Sequence, residues 1–185
     1  MNRLPPDTVR GRIRGYLERN AGLLRSPVLE VGSRLPGVGA WWADFRGLAP
    51  GAEWIGIDMQ DGVNVDFVVD AHRLGEINRK FGAALCAEVL EHVENPHLVI
   101  EQIRDVLEPG AWALFTTLQS FPVHGYPDDY WRFTEHGLRL LLESAGFEDV
   151  KTEAAGEVVM RLNDHGDGEV VESAPVHVFA KGRKS

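Results

Sequence analysis

Residues 28–33 read Val28-Leu29-Glu30-Val31-Gly32-Ser33. Val28 to Val31 is a short buried strand that runs into a glycine, and so into a sharp turn. Glu53 to Asp58 repeats the pattern, bringing Trp54, Ile55 and Ile57 up to an aspartate. Phe67 to Val69 ends at Asp70, and Ala83 to Ala87 is a fourth apolar run. Helical signals alternate with these strands. Asn95-Pro96 supplies a cap and a first-turn proline, and Val99, Ile103, Val106 and Leu107 then share one face before Pro109-Gly110. Ala111 to Thr117 is a fifth strand. Thr134 caps a helix with Leu138, Leu141 and Leu142 on its face, and Gly146 ends it.

The two ends of the chain complete the pattern. Pro5-Pro6-Asp7 starts a helix with Asp7 as its cap, and Val9, Ile13, Tyr16 and Leu17 form its apolar face. Residues 149–161 and 175–181 read as an antiparallel pair around the polar loop Asn163 to Glu169. That loop lacks the ligand spacing of a calcium site. The reading is one α/β domain over residues 1–185, with a helical extension at 1–26 and a core at 27–185. Its sheet is mostly parallel and helix-covered on both faces, with an antiparallel strand pair at the C-terminal end. Ligands of such sheets sit beyond the carboxyl ends of the strands, at the switch point.

Composition narrows the function. In 185 residues, 44% are hydrophobic and 25% charged, as expected of a folded globular domain. The net charge of −9 argues against a protein built to ride a nucleic-acid backbone. The charge is uneven: residues 1–26 carry six arginines against Asp7 and Glu18, which leaves a stronger acidic excess elsewhere. Cys86 is the single cysteine, which excludes an intrachain disulfide and fits a cytoplasmic, reducing setting. No apolar run approaches the ~20 residues that span a bilayer, and no signal-peptide core is evident.

The strand ends carry the chemistry. Gly32 lets backbone approach a nucleotide cofactor, but the full Gly-x-Gly-x-x-Gly fingerprint of nicotinamide enzymes is absent. Glu30, two residues before the turn, would repel a pyrophosphate and suits a cofactor with cationic groups. Asp58 stands where nucleotide folds place a ribose-binding acid. Asp70 could accept from an adenine amino group.

Val28–Ser33, Ile55-Gly-Ile-Asp58, Val69-Asp-Ala-His72, Leu85-Cys-Ala-Glu-Val-Leu-Glu-His-Val93 and Val106-Leu-Glu-Pro-Gly110 together resemble the class I S-adenosylmethionine-dependent methyltransferases. The resemblance covers residues ~28–147 and implies a Rossmann-like, seven-stranded fold. It implies that Glu30, Gly32 and Ser33 hold the methionine end, Asp58 and its neighbour Met59 the ribose side, and Asp70 with Ala71 the adenine. Ala87 and Glu88 would line the path to the methyl group. S-adenosylmethionine would be the cofactor and S-adenosylhomocysteine the product. The sequence departs from the family at Arg34-Leu35-Pro36, where further glycines are usual.

Phe121 to Thr134 follows the fifth strand and should overhang the methyl group. It supplies His124, Tyr126, Asp129, Tyr130 and Arg132 as acceptor-site candidates; Trp131 and Phe133 can equally plug the core. His124 and His92 are the candidate bases, with Tyr126 and Tyr130 beside them. Glu88, Glu91 and His92 share one helix face, and with His124 they could hold a divalent cation. The expected function is methyl transfer to oxygen or nitrogen of a small molecule such as a sugar or secondary metabolite. The alternatives are a non-catalytic relative that binds the cofactor or a protein, suggested by the loop at Arg34, and a nicotinamide-dependent oxidoreductase.

Overall fold

The computed structural model describes residues 5–37, 40–125, 128–163 and 169–185. One sheet contains β1 (Val28–Val31), β2 (Trp54–Asp58), β3 (Phe67–Val68), β4 (Phe81–Ala87), β5 (Leu107–Leu118), β6 (Phe147–Ala155) and β9 (His177–Lys184). Their spatial order is β3-β2-β1-β4-β5-β9-β6. Only β9 runs against the others, pairing antiparallel with both β5 and β6. A separate ribbon, β7 (Val158–Asn163) with β8 (Glu169–Ala174), joins β6 to β9. The order of the parallel strands reverses between β1 and β4, and that reversal opens the ligand crevice.

Side-chain alternation sorts the core into two layers. Leu29, Val31, Ala84, Cys86 and Phe115 pack toward α2 (Pro96–Val106) and α3 (Glu135–Ser144). Val28, Ala83, Leu85, Leu114 and Phe179 pack toward α1 (Val9–Asn20) through Ile13, Tyr16 and Leu17. Short 3₁₀ turns at Trp41–Ala43 and Arg46–Leu48 replace a helix between β1 and β2.

Three local expectations change. Thr8, not Asp7, caps α1: its hydroxyl accepts from Gly11 N at 3.1 Å and donates to Pro5 O at 2.8 Å, closing the proline turn. Leu107 leaves the helix and pairs with Phe81, so β5 begins directly after α2 and carries Pro109-Gly110 within it. The C-terminal pair becomes four strands, because β6 and β9 join the main sheet while β7 and β8 pair only with each other. Residues 164–168 of the polar loop and Tyr126 lie outside the described residues.

Two glycines set the crevice wall. Gly32 has φ +70°, and a Cβ there would meet Val89 at 2.4 Å. Gly56 on β2 lies under Asn64 O and Ser33, where a Cβ would fall 1.8 Å from the carbonyl oxygen. Side chains at either position would push the first turn off the second strand.

Candidate functional site

The crevice is a cleft of about 620 Å³ at the carboxyl ends of β1, β2 and β4. Small-molecule pockets commonly fall at roughly 300–1,000 Å³. Gly32, Asp58, Met59, Asp70, Ala71, Glu88, His92 and His124 all line it, so eight of the expected site residues meet in one place. Gly32 N and Ser33 N both donate to Ile57 O, at 2.9 and 3.0 Å, which ties the first turn to β2. In the loop that lacks glycines, Leu35 N donates to Val63 O and Arg34 Nε to Asp61 O, each at 3.2 Å. Cross-loop bonds thus hold the turn where Arg34-Leu35-Pro36 lacks glycines.

The carboxylates at the β1–β3 end are half committed. Asp58 Oδ1 accepts from Gln60 N at 2.9 Å. Asp70 Oδ1 accepts from His72 N at 2.9 Å and His72 Nδ1 at 2.7 Å. Burial pushes the Asp70 carboxyl up, but the His72 hydrogen bonds outweigh it and hold it below its usual range. His72 Nε2 in turn accepts from Asn95 N at 3.2 Å, so one imidazole braces the Asp70 turn against the cap of α2. The second oxygen of each aspartate has no partner among the described residues.

Glu30, Ser33, Ala87 and Tyr130 do not line the cleft. Glu30 is buried beneath it, 3.4 Å from Arg46 Nε, and Arg46 also reaches Asn64 O and Asp66. Burial pushes the Glu30 carboxyl up to about 7, against the pull of Arg46. Ser33 Oγ is buried without a partner, and Ala87 packs toward α1. Tyr130 is exposed; its backbone N donates to Glu91 O at 2.8 Å, and the nearby Asp128 raises its hydroxyl.

The other end of the cleft is built on β4, β5 and residues 121–134. Glu88 adopts φ +54°, a conformation L residues favour little. Its Oε1 accepts from Thr116 Oγ1 at 2.8 Å. Burial, then the neighbouring Glu91, push its carboxyl up to about 8. Glu91 is fully buried, and burial raises it too. Its Oε2 accepts from Thr117 Oγ1 at 2.8 Å, whereas Oε1 has no hydrogen bond.

The two histidines come from different segments, His92 just after β4 and His124 in the segment after β5. His92 Nδ1 lies 2.6 Å from Asp128 O. A carbonyl only accepts, so Nδ1 carries the hydrogen and Nε2 keeps its lone pair. His124 Nδ1 lies 3.1 Å from Asp129 Oδ2, which likewise frees its Nε2. Asp129 is itself clamped by Arg132 at 2.5 and 2.7 Å, and these bonds hold its carboxyl well below the usual range. The imidazole rings stand 5.1 Å apart, edge to face. Glu91, His92 and His124 each offer a ligand atom within 4.8 Å of the others; Glu88 stands apart from this cluster. Phe133 is buried in the core, as a plug would be, while Trp131 stays partly exposed and donates Nε1–H to Val93 O at 2.9 Å.

His177 carries no local signal in the sequence. It is fully buried at the start of β9, its Nε2 3.8 Å from Glu88 Oε2, and neither ring nitrogen has a hydrogen bond. Burial, then Arg12, lower it to about 4, so it is a neutral ring at neutral pH. The pairing of Ala87 with Thr116 could have revealed Thr116 and Thr117 as partners of the two glutamates.

Strand order, turn and carboxylates define the nucleotide-cofactor class of doubly wound fold. The chain matches the family model for a methyltransferase domain over residues 7–152, and it belongs to that family. It is 30% identical over 118 residues to a ubiquinone biosynthesis O-methyltransferase of Chromobacterium violaceum, covering 56% of this chain and 49% of that one. The chain thus spans about half the length of the curated relatives it matches. A SAM-dependent methyltransferase from Archaeoglobus fulgidus superposes with a TM-score of 0.67 at 15% identity, covering 95% of this chain and 94% of that one. A 1,6-didemethyltoxoflavin-N1-methyltransferase of Burkholderia thailandensis, with that compound and S-adenosylhomocysteine bound, gives 0.61 at 17% identity, over 97% and 79%. The class I fold is therefore established, and S-adenosylmethionine is its cofactor. The residues fit that group: the turn at Gly32 admits no Cβ, and two half-committed carboxylates line a cleft that would receive a cation. Among the described residues no helix is long and apolar enough to cross a membrane.

Proposed function

We propose that this protein transfers the methyl group of S-adenosylmethionine to a hydroxyl oxygen of a small molecule such as a sugar or secondary metabolite. The observation that carries the oxygen reading is the pair His92 and His124, both lining the cleft, each with its Nδ1 tied back and no hydrogen bond at Nε2. When bound, the cofactor supplies an electrophilic methyl carbon on a sulfonium. Asp58 offers its free oxygen to ribose hydroxyls, and Asp70 offers its own to the adenine amino group. Glu30 works from behind, holding Arg46 and the turn after β1. A hydroxyl acceptor must lose one proton; His124 Nε2 receives it in this reading, and the contact of His124 Nδ1 with Asp129 supports that by balancing the imidazolium. His92 orients the acceptor from the facing side.

A second reading has its own support. Glu91 Oε1 is a buried carboxylate oxygen without a hydrogen bond, 4.0 Å from His92 Nε2 and close to the His124 imidazole. That donor set fits a divalent cation of the zinc or manganese type, which would lower the acceptor's pKa. Elemental analysis and activity with and without chelator separate the readings. A methyl-transfer screen over sugars, phenols and amines tests the whole proposal. Turnover confined to amines would remove the oxygen assignment.

A further inference from the structure

A second cavity, of about 340 Å³, lies away from the cleft and shares no lining residue with it. It sits where the last turn of α1 meets β6 and β9, and Tyr16, Arg19, Asn20, Lys151, Glu153 and Lys181 line it. Tyr16 is 3% exposed, stacked on Phe179 with ring centroids 4.7 Å apart. Its hydroxyl is buried without a hydrogen bond, and Tyr16 lines the cavity beside Arg19 and Glu153. A buried hydroxyl left unpaired costs roughly 1–3 kcal/mol, so it calls for a partner.

The charges say which partner. Arg19 is ion-paired with Glu153. Lys181 Nζ donates to Asn20 Oδ1 at 2.6 Å, a neutral acceptor that aims the ammonium without cancelling it. The Lys151 side chain has neither ion pair nor hydrogen bond among the described residues, and β-pairing sets it opposite Lys181. The C-terminal end of a helix disfavours anions, but here Asn20 Nδ2 covers the Tyr16 carbonyl at 2.9 Å. Three cations surround one already paired carboxylate, in a chain whose net charge is −9.

We propose that this cavity binds a phosphate group, held by Lys151, Lys181 and Arg19 with the Tyr16 hydroxyl donating to it. The ligand is inorganic phosphate or a small phosphate monoester, and the cavity of about 340 Å³ has room for either.

Calorimetric titration at fixed ionic strength tests it, with S-adenosylhomocysteine present to block the cleft and inorganic phosphate and glycerol 3-phosphate as separate probes. The expected result is one saturable site per chain. A Lys151→Gln, Lys181→Gln double variant should weaken it at least tenfold. Tighter binding of the ester would mark a metabolite, and tighter binding of inorganic phosphate the free ion; either supports the site. Tyr16→Phe should weaken binding without lowering the melting temperature of the ligand-free protein. No saturable heat with either probe, or unchanged affinity in the double variant, overturns the proposal. A lower ligand-free melting temperature in Tyr16→Phe overturns it as well, because the hydroxyl would then have an internal partner. The site is independent of the methyl-transfer proposal: if S-adenosylhomocysteine fails to bind, the lysine comparison still decides.

Discussion

Asp129→Asn removes one charge from the most tightly held side chain of the acceptor loop. The Asp129 side chain is 1% exposed. It accepts from Arg132 Nη1 at 2.5 Å and Nη2 at 2.7 Å, from His124 N at 2.8 Å, and from His124 Nδ1 at 3.1 Å. Asparagine keeps one acceptor oxygen and turns the other into a donor that faces donors. Truncating one partner of a buried ion pair costs ~3–5 kcal/mol. Arg132 remains tied to Phe121 O and Pro122 O and is a quarter exposed, so the lower end applies. We expect about 3 kcal/mol, read as a lower urea midpoint, and roughly 6–12 °C in melting temperature for a chain of this size. The pH signature has a definite sign. The folded carboxyl lies below its unfolded value, so its contribution is full above about pH 4 and is lost as pH falls further. The variant should lose that acid sensitivity. It should also release His124, seen as altered ring ¹⁵N shifts. A loss under about 0.5 kcal/mol with unchanged His124 shifts would refute the claim that Asp129 builds this end of the site.

Other outcomes follow from the same geometry. Asp58→Ala should weaken S-adenosylhomocysteine binding by roughly 10- to 100-fold in calorimetry, as expected for lost hydrogen bonds to a charged group. Burial raises Glu30, and the folded state therefore holds a proton that the unfolded state releases between about pH 4.5 and 7. Its contribution, roughly 3 kcal/mol by linkage, is lost as pH rises through that window, and Glu30→Gln should flatten that part of a urea-midpoint profile. His177 acts oppositely: its folded value is lowered to about 4, so stability falls as pH drops from about 6.5, and His177→Phe should remove that slope. His72→Ala should weaken cofactor binding without touching acceptor turnover at saturating cofactor, because it braces only the Asp70 turn.

The strands and the two main helices were legible because their signals are local. Short continuous apolar runs, Asn95-Pro96 and Thr134 each act within a few residues. The cleft residues were legible for a related reason: each ends a strand, and parallel strands bring their ends together. What stayed hidden depends on partners distant in sequence. Glu30 looked like a cofactor ligand, but Arg46 reaches back from an irregular loop to claim it. His177 is one polar residue at the mouth of an apolar strand, and only the sheet register sets it beside Glu88. Leu107 fitted the helical face of α2, yet pairing with Phe81 outweighed that periodicity. The metal-type cluster gained Glu91, His92 and His124 but not Glu88, because a left-handed residue at the end of β4 turns that side chain toward Thr116.

The central claim is that the cleft bounded by Gly32, Asp58 and Asp70 holds S-adenosylmethionine. Calorimetric titration with S-adenosylhomocysteine tests it without any knowledge of the acceptor. One molecule should bind per chain, with affinity lost in Asp58→Ala and kept in His124→Ala. Absence of binding by the folded protein, or binding indifferent to Asp58, would contradict it.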